Sequence, residues 1–118
     1  MDEEDTIHLP VTDNSHIQYD IVGSHLANYD FMINLALFKG HAMGGFGGVL
    51  KNQSIGVASI VGKVYIHSAG RSTTQWSSGN QDGFLESMAA AAQAVHNYFK
   101  QPGRNIIYIN VMWCACRA

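Results

Sequence analysis

The sequence predicts an α/β fold: a single layered domain with a parallel or mixed sheet and flanking helices. Three observations carry this. Tyr29 to Phe38 reads YDFMINLALF, a nearly unbroken apolar run of strand length, as expected of a strand covered on both faces. Between Phe84 and Phe99 the apolar residues Phe84, Leu85, Met88, Ala91, Ala92, Val95 and Phe99 recur at helical spacing. Asn105 to Met112 then reads NIIYINVM, a second apolar run of strand length. Strand, helix and strand in that order imply a parallel or mixed sheet with helices on it.

The remaining elements follow in chain order. Residues 1–6 are acidic and polar, and the sequence predicts a disordered tail followed by one domain over 7–118. Ile7 to Ile21 suits one or two short strands broken by a turn at Pro10, Asp13 and Asn14. After the first apolar run, Lys39 to Gly48 holds five glycines in ten residues, which reads as a long loop too flexible for a regular element. Val49 to Ile60 fits a short helix or a strand, and Val64 to His67 a short extended piece. Arg71 to Gly79 is Ser/Thr-rich and reads as a surface loop. Asp82 or Gly83 can cap the long helix, and Pro102-Gly103 stops it.

With 118 residues, 47% of them hydrophobic, the chain can fill one core. Seven Lys plus Arg against nine Asp plus Glu give a net charge of -2, which disfavours nucleic acid as a partner. No apolar run reaches the roughly 18 residues needed to span a bilayer, and the acidic N-terminus is the reverse of a basic leader, so a cytoplasmic protein with no membrane partner is expected. A short sheet with open edges predicts a homo-oligomer or a partner subunit.

The candidate chemistry centres on the glycine-rich segment. Dense glycines let backbone amides converge on an anion or on the oxygens of a cofactor. Lys39, Gly44, Gly45, Gly47, Gly48 and Asn52 are the candidate contacts to a small anionic ligand or cofactor. The segment is neither a Walker loop nor G-x-G-x-x-G, because Lys51 is not preceded by glycine and position 50 is Leu. His41 and Lys51 flank the glycines as a proton carrier and an amine, the candidate catalytic pair. His67, Cys114 and Cys116 are the candidate ligands for a metal ion. An iron–sulfur cluster wants about four protein ligands, so two cysteines do not complete one in this chain alone. The plain alternatives are a tight turn for the glycines, a satisfied side chain for each histidine and incidental thiols for the cysteines. His8, His16, His25 and His96 take only that plain reading.

FKGHAMGGFGGVLKN, then Gly62-Lys63-Val64-Tyr65-Ile66-His67-Ser68, then Gln81-Asp82-Gly83-Phe84-Leu85-Glu86-Ser87-Met88, resembles the bacterial and archaeal domain of unknown function family 362. The resemblance covers roughly residues 17–116 and implies an iron–sulfur association, although the family's four-cysteine segment has no counterpart here. Leu37 stands where the family usually has a second His, and Met112-Trp113-Cys114-Ala115-Cys116 replaces its acidic Cys motif. The family domain extends further on its N-terminal side, so the chain resembles a fragment of it. The chain is also distantly similar to nickel-pincer lactate racemases, in that Lys51 follows His41 by ten residues and His67 follows Lys51 by sixteen. That likeness implies His41 as an acid/base, Lys51 as the anchor of an anionic or covalent cofactor, and His67 as a metal ligand. The alternatives to a ligand-binding enzyme site are a non-catalytic electron-transfer module, sharing Cys114 and Cys116 with a partner, and a structural fragment.

Overall fold

The computed structural model describes residues 5–12, 16–76 and 80–113. Strand β1 (Thr6–Pro10) pairs antiparallel with β2 (Tyr19–Gly23), Leu9 opposite Asp20. A 3₁₀ turn over Ser24–Asn28 leads into β3 (Phe31–Leu37). The chain then forms a small hairpin from β4 (Lys39–His41) and β5 (Gly45–Gly47). One helical turn, α1 (Val49–Lys51), runs on into a π turn over Asn52–Gly56. Helices α2 (Ile60–His67) and α3 (Gln81–Phe99) follow, and β6 (Asn105–Val111) returns parallel to β3, Leu35 opposite Ile109. The α/β class agrees with the sequence, and of the parallel and mixed arrangements it allowed, β3 and β6 take the parallel one.

Helix α3 organises the core, because its apolar stripe is wide enough to face two ways. Val95 and Phe99 pack with Leu9, Val22, Leu26 and Ile106, while Phe84, Met88 and Ala91 pack with Ile17, Ala58 and Ile66. Its N-cap is Asn80, whose side chain accepts from the Gly83 amide; Asp82 lies inside the first turn. Beyond the C-cap Lys100, Gly103 takes φ 84°, the left-handed exit that glycine permits.

Three expectations are corrected. Lys39 to Gly48 is not a long irregular loop but a hairpin: cross-strand bonds order it, and Gly45 at φ 75° supplies the left-handed residue at its tip. Val64 to His67 is not extended but the second half of α2, whose start is fixed by Ser59 capping the Gly62 amide. The run from Tyr29 is not covered on both faces. Asn34 and Ala36 point inward, whereas Ile33 and Leu35 are each 60% exposed. Together with Phe31, Leu37, Ile107, Ile109 and Val111 they form an exposed apolar sheet face.

Within the tail predicted over residues 1–6, the Asp5 carbonyl accepts from the Ser24 amide and Thr6 begins β1; residues 1–4 lie outside the described ones. Residues 71–76 of the predicted surface loop carry no helix or strand and are mostly exposed. No helix among the described residues is long and apolar enough to cross a membrane.

Candidate functional site

The hairpin stands at the carboxyl end of β3, where open α/β sheets place ligands. Amide side chains from both parallel strands hold its exit. Asn34 of β3 donates to the Val49 carbonyl at 2.7 Å and to Gln53 Oε1 at 3.3 Å, and Asn110 of β6 accepts from the Val49 amide at 3.1 Å. Asn52 Nδ2 donates to the Leu35 carbonyl, and Gln53 Nε2 to the Ala92 carbonyl on α3. Val49, and with it the turn that carries Lys51, is therefore tied to β3 and β6, and Gln53 ties the following turn to α3. Sequence reasoning missed Asn34, Gln53 and Asn110; for Asn34 and Asn110 the detectable signal was a polar amide inside an apolar run.

At the tip, His41 folds back on its own turn. Its Nδ1 accepts from the Met43 amide at 3.2 Å and the Gly44 amide at 3.0 Å. Its Nε2 lies 2.5 Å from Lys51 Nζ. Gln81, at the start of α3, donates to the Met43 carbonyl and braces the turn from the other side.

Lys39, His41, Gly47, Gly48, Lys51 and Asn52 line one cavity of about 350 Å³, with Leu37 and Ile55 as part of its apolar wall. None of the described residues lining it is acidic. Burial, and then the neighbouring Lys39 charge, hold the Lys51 amine below the usual lysine range. Of the candidate contacts, Gly44 and Gly45 sit at the turn rather than in the wall: a side chain at Gly44 would meet His41 Nδ1 at 3.6 Å, and Gly45 supplies the turn geometry.

His67 is not among the residues lining this cavity. It ends α2 with Nδ1 2.7 Å from the Lys63 carbonyl, its ring stacked on Phe84 and edge-on to Trp76. Cys114 and Cys116 lie outside the described residues. Among the described residues, no group of three or more His, Cys, Asp or Glu is placed to hold a metal ion. A second cavity of about 250 Å³ lies between α1, α3 and β6, beside His96 and Tyr108, whose Nδ1 and hydroxyl are 2.5 Å apart.

A family model described as Domain of unknown function (DUF362) matches residues 1–116. No curated protein and no solved structure matches the chain.

Proposed function

The chain belongs to the domain of unknown function family DUF362, and we propose that it binds a small anionic ligand or cofactor in the cavity between Lys39 and Lys51. The observation that carries this reading is a concave site with two lysines, one histidine and no acidic residue among those lining it. Lys39 supplies the fixed positive charge. His41, held by two backbone amides, is the proton carrier, and Lys51 is the amine that meets it. A carboxylate or a phosphate has the charge and size for such a site.

Melting the protein in inorganic phosphate tests this. A ligand that binds only the folded state stabilises it, by about 2.7 kcal/mol at a hundred times Kd. The melting temperature of the wild type and of Lys100→Ala should rise with phosphate, and that of Lys39→Ala or Lys51→Ala should not. No rise in the wild type at high phosphate removes the reading, and an unchanged rise in both cavity variants moves the ligand elsewhere.

The exposed apolar face of β3 and β6 favours a second reading, a non-catalytic module that packs against a partner subunit or a cluster-bearing segment. Such a module would show no phosphate-dependent stabilisation at the hairpin.

A further inference from the structure

The hydrogen bonds of His41 fix which proton sits where. Nδ1 accepts two backbone N–H groups, so it carries a lone pair and the ring proton is on Nε2. Nε2 therefore donates across the 2.5 Å contact to Lys51 Nζ. An ammonium has three donors and no lone pair, so the partner in this contact is the free amine. The surroundings agree: the Leu37 and Ile55 side of the cavity is apolar, Lys39 adds like charge, and burial weakens the charged form of Lys51. A free amine beside a proton donor, with a second lysine to hold a negative group, is the arrangement of an amine nucleophile.

We propose that Lys51 condenses with a small carbonyl compound bearing a carboxylate or phosphate, an anionic aldehyde or 2-oxo acid, to form an imine. The inference deepens the anion-site reading and rests on it. The Lys51 nitrogen lone pair forms a bond to the carbonyl carbon while the C=O π electrons move to oxygen. His41 Nε2–H gives its proton to that oxygen and regains one from the nitrogen, which leaves a carbinolamine and an unchanged imidazole. The nitrogen lone pair then closes C=N as the C–O bond breaks, and the hydroxyl leaves with the last nitrogen proton as water. Amine and carbonyl become imine and water with no change of oxidation state. Lys39 holds the anionic group throughout.

The test treats the full chain with glyoxylate and sodium cyanoborohydride, which reduces an imine to a stable amine, and maps the adduct by peptide mass spectrometry. The chain has four lysines, so Lys63 and Lys100 are internal controls. Because burial and the neighbouring Lys39 charge favour its free amine, and His41 sits beside it as a proton donor, Lys51 should be labelled severalfold faster than Lys63 or Lys100 at neutral pH. Uncharged propionaldehyde should show a smaller preference for Lys51, and Lys39→Ala should lower the preference for glyoxylate to that level. Equal labelling of the lysines by glyoxylate overturns the proposal, and it does so without touching the anion site if phosphate still raises the melting temperature. An equal preference of Lys51 for both aldehydes overturns its anionic half. The wild-type comparison needs no variant, so a substitution that fails to fold leaves the proposal open to refutation.

Discussion

The Asn110 side chain on the last strand accepts the Val49 amide at 3.1 Å, so the segment that carries Lys51 starts where β6 allows it to start. Asn34 holds the carbonyl of the same residue from β3. Val49 is thus gripped from both parallel strands, and the site is coupled to the sheet through one peptide unit on each side.

Asn110→Ala should therefore act beyond its own bond. One hydrogen bond of this kind is worth about 1 kcal/mol, which sets the expected loss in urea unfolding. The phosphate-dependent gain in stability should shrink as well, since Lys51 is no longer held in register with Lys39. A variant that loses stability but keeps the full phosphate effect would show that β6 supports the fold and not the site.

Gly62→Ala should destabilise the protein although alanine is the better helix former. A Cβ at position 62 would stand 2.1 Å from the Ile21 carbonyl oxygen, which already accepts from the Ser59 amide and hydroxyl. Such overpacking costs about 2 kcal/mol, and the melting temperature should fall by roughly 5 °C or more. An unchanged melting temperature would mean that α2 does not press on β2 as described.

Asp20 predicts a pH dependence with a definite sign. It is fully buried on β2, neither carboxylate oxygen has a hydrogen-bond partner among the described residues, and desolvation raises its pKa from the ordinary 3.8 to about 7. The Ile21 amide, outside hydrogen-bond geometry, offsets this only in part. Between those two values the folded state binds more protons than the unfolded one, so stability falls as pH rises from about 4 to about 7 and levels off above. The contribution lost is on the order of 4 kcal/mol. Urea midpoints at pH 5 and pH 8 should differ in that direction for the wild type, and Asp20→Asn should flatten the difference. A wild type more stable at pH 8 than at pH 5 contradicts the assignment.

The exposed face of β3 and β6 predicts association between copies of the chain. Ile33 and Leu35 stand outward beside Ile107 and Ile109, so the paired strands present a contiguous exposed apolar face, the kind of surface that marks a protein–protein contact. Sedimentation should give a mass above 12.9 kDa that Ile33→Lys lowers without lowering the melting temperature. A monomeric wild type would refute this.

Much of the architecture was legible in the residues. Phe84, Met88, Ala91, Val95 and Phe99 announce α3 because one helix face needs apolar residues at that spacing, and the two apolar runs announce β3 and β6. The same runs misled on burial: Ile33 and Leu35 look like core residues, yet it is Asn34 and Ala36 that face inward, and composition alone does not say which face of a strand is covered. Gly62 disguised α2, since a glycine weakens a helical pattern, and the reason it is there is a carbonyl on a strand far away in sequence. At the site, Lys39, His41, Gly47, Gly48, Lys51 and Asn52 line one cavity. His67 does not join them, because it rides on α2, and sixteen residues of separation carry no information about direction in space.

The most direct test is an amide-resolved NMR titration with inorganic phosphate. The resonances of Gly47, Gly48, Lys51 and Asn52 should move together and saturate with a single Kd, and Lys39→Ala should abolish the movement. Shifts confined to the His96 and Tyr108 cavity, or no saturable shift at the hairpin, would contradict the anion site.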